Sequence, residues 1–204
     1  MDIRHHWEKV YQTKAPNAVS WYAAHLEISL RLIEKAAPDK NASIIDVGGG
    51  EATLVDDLLT NGYDHVTVLD ISEAAIEVAK QRLDIAASRV TWMIDDVMQA
   101  ALPENHFDVW HDRAVFHFLT NQGQRSAYVR KVVHAMKSGG LVIVATFGPQ
   151  GPEKCSGLDV VRYDAESLHF QFGNRFQLID NMTEIHHTPF GTTQQFLYCL
   201  CRVK

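Results

Sequence analysis

The chain has 204 residues, 46% of them hydrophobic and 22% charged, and a formal net charge of −6 with histidine neutral. That is the composition of one ordinary globular domain, long enough to bury roughly 70% of its unfolded surface, and it excludes a disordered or fibrous chain. The excess of acid, with Lys and Arg scattered instead of striped, argues against a nucleic-acid partner, and no apolar run approaches the roughly 20 residues of a bilayer crossing, so no membrane role is expected.

The opening MDIRHHWEKVYQ lacks an apolar signal core, so the expected location is cytoplasmic. Trp7, Tyr11, Trp21 and Tyr22 gather aromatic rings ahead of the first regular helix with no strand to join, and residues 1–25 are expected to form an N-terminal arm that acts as a lid. Leu26, Leu30, Ile33 and Ala37 recur at helical spacing until Pro38, predicting an amphipathic helix over 25–37. The β-branched run Ser43–Val47 then stops at three glycines, the pattern of a buried strand feeding a tight turn. Alternation continues with a helix at about 52–61, a strand at 66–70, a helix at 73–87 opened by the N-cap Ser72, and strands at 90–94 and 107–111. A helix at 121–137 is expected to end on Ser138-Gly139-Gly140 as its cap, before the strand Leu141–Phe147. Strands separated by helices of this length imply parallel crossovers, hence an α/β fold with helices on both faces of an open sheet. In the tail, the apolar runs 176–180 and 195–202 flank the turn-rich 188–193, which predicts an antiparallel hairpin closing the sheet. Nothing repeats and no linker interrupts the chain, so one domain is expected over 1–204: arm 1–25, ligand-binding core 26–147, and substrate loops with the hairpin over 148–204.

Open parallel sheets bind ligands beyond the carboxyl ends of their strands, where strand order reverses, so the residues to weigh are those that end strands. Gly48 and Gly50 follow the first strand, where a missing side chain lets backbone approach a ligand beside a helix N-terminus. Asp70 ends the second strand 24 residues beyond Asp46, near the spacing at which a carboxylate meets the diol of an adenosine ribose. Asp95-Asp96-Val97 ends the third, where a carboxylate accepts from an exocyclic amine and a backbone N–H donates to a ring nitrogen. Each alone has a bland reading: a glycine turn, a helix cap, a pair of solvated acids.

Together these features resemble the class I S-adenosylmethionine-dependent methyltransferases. IIDVGGGEA is similar to the family's first motif, VTVLDIS to its ribose strand, VTWMIDDV to its adenine loop, FDVWHDRAVFHFL to its fourth motif and HAMKSGGLVIVATF to its fifth strand. The resemblance implies a Rossmann-like, mostly parallel seven-stranded sheet with a reversed C-terminal hairpin, and S-adenosyl-L-methionine as cofactor. It assigns cofactor contacts to Asp46, Gly48, Gly50, Asp70, Ile71, Asp96, Val97 and Trp21 and the backbone near His111, with Ala52 where a third glycine is common. HWEKVY, VSWY at 19–22 and Asp112-Arg113-Ala114 are weakly similar to thiopurine methyltransferases and small lysine methyltransferases, in which an aromatic arm covers the cofactor; Ala114 stands in place of a glycine.

In-line methyl transfer needs positioning more than covalent help, but an amine or thiol acceptor must lose a proton. The titratable groups expected nearest the methyl are His111, Asp112 and His117, the last with a competing reading as a core residue. The adjacent pairs His5-His6 and His186-His187 make poor chelates and read as surface residues, and no metal site is expected. Cys199 and Cys201 read as buried inert thiols, and three cysteines cannot all pair; Cys155, in the loop after the fifth strand, is expected to line a compact pocket with Phe190 and Thr192. These loops favour a small soft acceptor, a thiol or metalloid. A protein lysine, a non-catalytic binding partner and a nicotinamide oxidoreductase remain as alternatives; Thr53 lacks the third glycine of a dinucleotide fingerprint.

Overall fold

The computed structural model describes residues 2–204. Helix α1 (Ile3–Thr13) is capped by the Asp2 carboxylate, which accepts from the Arg4 and His5 amides. Helix α2 (Glu27–Ala36) leads through β1 (Ile44–Val47), α3 (Leu54–Thr60), β2 (Val66–Asp70), α4 (Glu73–Leu83), β3 (Val90–Ile94), β4 (Phe107–Arg113) and α5 (Gln122–Ala135) to β5 (Met136–Phe147). A short hairpin of β6 (Lys154–Cys155) and β7 (Leu158–Asp159), helix α6 (Ala165–Phe172), β8 (Phe176–His187) and β9 (Thr193–Val203) complete the chain. The main sheet has seven strands in the order β3-β2-β1-β4-β5-β9-β8, with β9 antiparallel to both its neighbours and the rest parallel. The predicted α/β architecture and its closing hairpin are therefore present.

Strand parity decides which side chains reach which layer. Ile44, Val66, Val68, Val109 and Ile143 pack under Leu32, Ile33, Leu54 and Leu58 of α2 and α3. Ile45, Val47, Leu69, Trp110 and Val144 pack under Tyr128, Val132, Leu168 and Phe172 of α5 and α6. Near-continuous apolar runs such as β2 are the consequence of burial on both faces. Asp46, Asp70, His111 and Arg113 share parity with the first set and face the α2 side, whereas Asp112 shares that of Trp110 and faces α5.

Several element ends differ from expectation. Helix α4 stops at Leu83, where Asp84 takes φ +51° and opens a 3-10 turn over Asp84–Arg89. Helix α5 stops at Ala135, so Gly139 and Gly140 do not cap it. They lie inside β5, where pairing with β4 jumps from Phe107–Met136 to Val109–Leu141 and residues 137–140 bulge out. Gly139 takes φ +80° there, and a Cβ on Gly140 would lie 2.9 Å from the Lys137 carbonyl. Both tail strands run longer than predicted, because the alternating exposed residues of β8 hide a strand edge that continues to His187.

Candidate active site

Strand order reverses between β1 and β4, and a cavity of about 430 Å³ opens beyond the carboxyl ends of the strands there. Gly48, Asp70, Ile71, Asp96, Val97 and Trp21 line it, together with Arg113, Val115, Phe118, Phe147 and Cys155. A smaller cavity of about 60 Å³ adjoins through shared walls at Tyr11, Trp21, Gly48 and Arg113, and reaches Asp46, Glu51 and His111. Gly48 takes φ +69°, and a Cβ there would lie 2.1 Å from Val115 Cγ2. Gly50, at φ +50°, sits so close that a Cβ would lie 3.1 Å from both Asp70 Oδ2 and the Tyr11 hydroxyl. Only glycine gives this turn its shape without displacing what surrounds it.

Asp70 is buried and accepts from the Ser72 amide at 2.8 Å. Burial, with the Asp46 charge nearby, pushes its carboxyl up to about 7 against the pull of backbone amides. Asp96 accepts from the Met98 amide at 2.9 Å and lies part-exposed on the wall. Glu51, buried in the smaller cavity, has both carboxylate oxygens without a hydrogen-bond partner, and burial pushes it up to about 7. Glu51 is not among the candidates the sequence singles out; an acid set between Gly50 and Ala52 in the glycine turn was the available signal.

The three candidate acid-base residues are each committed to other groups. His111 faces the smaller cavity, but Nδ1 is 2.7 Å from Asp46 Oδ1 and Nε2 is 2.8 Å from Ser29 Oγ, all three residues being buried. Register explains the first contact, since Asp46 and His111 are direct partners across β1 and β4. Asp112 lines neither cavity: its carboxylate accepts from the Val115 and Phe116 amides and the Tyr128 hydroxyl in the α5 layer. His117 is fully buried; its Nδ1 accepts from the Phe147 amide at 3.3 Å, and burial holds it down to about 3, so it stays neutral. His186, expected on the surface, is buried and donates from Nε2 to the Ser20 carbonyl at 2.9 Å. Phe190 and Thr192 belong to the exposed turn between β8 and β9 and line neither cavity. Cys155 does line the larger one, and burial pushes its thiol up to about 12. Cys199 and Cys201 are buried as expected.

Helix α1 roofs this space with Ile3, Trp7 and Tyr11, and Trp7 packs edge-on against Trp21 and Phe118 at 5.7 and 5.2 Å between ring centroids. Val10 is the buried residue of α1, so polar contacts pin the helix. The Glu8 carboxylate accepts from Ser72 Oγ at 2.8 Å and from the Ala74 amide at 3.2 Å, capping α4 from outside. Arg4 donates to the Ile71 carbonyl at 3.2 Å. Burial alone would raise the Glu8 carboxyl, but these hydrogen bonds outweigh it and hold it below the usual range. The contact is therefore kept above the ordinary carboxylate pKa and lost as pH falls through the lowered one. Glu8→Ala is expected to remove about 0.5–1 kcal/mol of docking and to speed release of a bound nucleoside severalfold, measured by stopped-flow chase; an unchanged release rate would leave α1 a fixed wall.

Residues 44–140 match the family model of a methyltransferase domain. The eEF1A lysine and N-terminal methyltransferase of Bos taurus is 30% identical over 108 residues, which are 53% of this chain and 15% of that one. The chain thus spans about 15% of the length of that relative. The human EEF1A lysine methyltransferase 2 is 19% identical over 196 residues, 89% of this chain and 77% of its own. Among solved structures, one from work on the conversion of a disulfide bond into a thioacetal group during echinomycin biosynthesis superposes with TM-score 0.81 at 18% identity, covering 99% of this chain and 93% of the other. Burkholderia thailandensis 1,6-didemethyltoxoflavin-N1-methyltransferase, solved with S-adenosylhomocysteine, gives 0.72 at 16% identity over 98% and 84%. The glycine cradle, the buried Asp70 at its rim and the unpartnered Glu51 carboxylate fit a nucleoside whose amino-acid end carries an ammonium. Fold, motifs and family model agree: residues 44–140 form a methyltransferase domain, set in a fold shared with S-adenosylmethionine-dependent methyltransferases.

Proposed function

We propose that the chain transfers a methyl group from S-adenosylmethionine to a small soft nucleophile, a thiol or metalloid species. The observation that carries this is the enclosure of the cavity: α1 roofs one side and the β6–β7 hairpin, with Cys155 and Leu158, walls the other. A concave, largely apolar space of this kind suits a small molecule better than a protein surface. Asp70 would hold the ribose diol, Ile71, Asp96 and Val97 the adenine, and Gly48, Gly50 and Glu51 the methionyl end, with Trp21 closing over it. Asp46 would act through His111, as a pair that ties β1, β4 and α2 together. When bound, the cofactor supplies an electrophilic methyl on a sulfonium sulfur, so that in-line attack by a thiolate leaves a neutral thioether.

The protein's own work is positioning and exclusion of water. His111 has both ring nitrogens engaged, Asp112 is committed to the α5 layer, and His117 is neutral in the core, so none of the three stands ready as a base. The acceptor therefore enters already ionised, which a thiol does near neutral pH and an amine does not. With a panel of thiols, kcat/KM is expected to rise with pH about a midpoint that follows each thiol's own pKa. A midpoint common to all thiols would assign the proton to a protein group instead.

A second reading is methyl transfer to a protein lysine. It is favoured by the relatives named as eEF1A lysine methyltransferases and by the rings of Trp7, Tyr11, Trp21 and Phe118, whose faces attract an alkylammonium. Labelled S-adenosylmethionine offered separately to thiol, metalloid and lysate-protein pools decides between them. Label in a thiol or metalloid product supports the first reading; label confined to a protein band reverses it.

A further inference from the structure

The larger cavity divides at β4. Gly48, Asp70 and Asp96 follow β1, β2 and β3 on the side proposed for the nucleoside. On the other side Phe147 ends β5, Phe196 pairs with it from β9, and Trp7, Phe118, Cys155 and Leu158 complete the wall. Phe147 and Phe196 pack edge-on at 4.9 Å between ring centroids, as Trp7 and Phe118 do at 5.2 Å. The charged residues lining this cavity, among the described residues, are Asp70, Asp96, Arg113 and Asp159. Those outside the nucleoside half are answered from within the protein. Arg113, with its side chain 6% exposed, pairs with Glu184 at 3.6 Å, donates to the Tyr198 hydroxyl at 3.0 Å and the Trp21 carbonyl at 3.3 Å, and stacks on Phe196 at 4.2 Å from its centroid. Asp159, at the exposed rim, pairs with Lys154 at 2.7 Å. His117 packs on Phe118 and Phe147 and stays neutral, and burial keeps the Cys155 thiol protonated.

The half of the cavity left for the acceptor is therefore walled by rings and apolar side chains, with no free charge to offer. A carboxylate or ammonium moved there from water loses its hydration and finds no partner, whereas an uncharged apolar body gains from the same burial. Cation–π attraction does not rescue an ammonium at Phe196, because Arg113 already covers that ring. We infer that the methyl acceptor is uncharged and apolar apart from its nucleophilic atom: a thiol on a ring or a short hydrocarbon body, not a thiol that also carries carboxylate or ammonium groups. This rests on the small-acceptor reading and names its class. The thiolate, its proton already left in solvent, is the one charge the acceptor brings, and it faces the sulfonium. Its lone pair forms the new sulfur–carbon bond, the bond from methyl to sulfonium breaks with its electron pair kept by the cofactor's sulfur, and both sulfurs end as neutral thioethers.

Protein saturated with S-adenosylhomocysteine is titrated by calorimetry with 4-(methylthio)toluene, 4-(methylthio)benzoate and 4-(methylthio)benzylammonium, methyl thioethers of similar shape that need no turnover. The neutral thioether is expected to bind at least about tenfold more tightly than either ion. Leu158→Arg, which sets a cation in the hairpin wall, is expected to cut the preference over the benzoate at least about threefold. An unchanged preference in the folded variant overturns the inference, because the probes then sit elsewhere. So does a neutral thioether that binds the wild type no more tightly than either ion, or not at all, and that comparison stands even where the variant fails to fold. Preference for the benzoate overturns the inference alone and leaves a small acceptor in place. Preference for the benzylammonium, or label from S-adenosylmethionine confined to protein lysine, overturns the inference together with the small-acceptor reading.

Discussion

Asp70→Ala is expected to lower the affinity for S-adenosylhomocysteine ten- to a hundredfold, about 1.5–3 kcal/mol, through the loss of hydrogen bonds from a diol to a charged acceptor. One carboxylate oxygen already accepts from the Ser72 amide, so the side chain is aimed before any ligand arrives. The same residue gives the binding a pH dependence whose sign follows from its surroundings. Burial and the nearby Asp46 push the empty-site carboxyl up to about 7, whereas a diol donating to it stabilises the charged form. Binding therefore expels a proton at acidic pH, and affinity is expected to rise from pH 5.5 to pH 8 and then level off. The raised pKa acts oppositely on the empty protein, whose stability falls as pH rises from the unfolded value through about 7. Calorimetry at several pH values in buffers of different ionisation enthalpy measures both the affinity and the proton. A folded Asp70→Ala protein with unchanged affinity would remove Asp70 from the ribose role.

Much of this site was legible because its residues sit at strand ends, and strand ends are marked by local chemistry. The runs Val66–Asp70 and Val90–Ile94 lie where β-branched and apolar residues predicted them; in the first, burial on both faces leaves a continuous signal. Gly48, Asp70, Asp96 and Val97 meet on one cavity because the parallel topology brings those ends together. What misled was side-chain direction and what stands behind it. His111 and Asp112 are neighbours in sequence, but the period of two sends them to opposite faces, a distinction that Trp110 beside Asp112 already carries. Gly139 and Gly140 read as a helix cap because a bulge and a cap both need glycine and only the partner strand tells them apart. Arg113 reads in sequence as part of a motif step, whereas its seating depends on Glu184, Phe196 and Tyr198, more than seventy residues away. Ala114, in place of a glycine, takes φ +75° at the cavity wall; strain of this kind is tolerated where the surrounding structure imposes it.

Asp112→Ala is expected to cost about 3–5 kcal/mol of stability and to lower Tm by on the order of 10 °C, the largest effect predicted for a single side chain here. The carboxylate is fully buried and gathers three donors: Val115 N at 2.8 Å, Phe116 N at 3.1 Å and the Tyr128 hydroxyl. Trp110 Nε1 in turn donates to that hydroxyl at 2.9 Å, so one carboxylate orders β4, α5 and the turn that follows β4. Truncation leaves those donors without an acceptor in a dry layer, which is why its cost exceeds that of one hydrogen bond. Burial, against the pull of the hydrogen bonds from Tyr128 and Val115, pushes the carboxyl up to about 6. Wild-type stability is thus expected to fall as pH rises from the unfolded carboxylate pKa to about 6, and Asp112→Asn, which cannot ionise, should remove that slope while restoring part of the loss. Because Val115 and Ala114 line the larger cavity, activity in the alanine variant should fall in step with the loss of folded protein. Urea melts at pH 4.5, 6 and 8 beside turnover corrected for folded fraction make the distinction: a stable Asp112→Ala protein that binds cofactor but does not transfer methyl would return this residue to the chemistry.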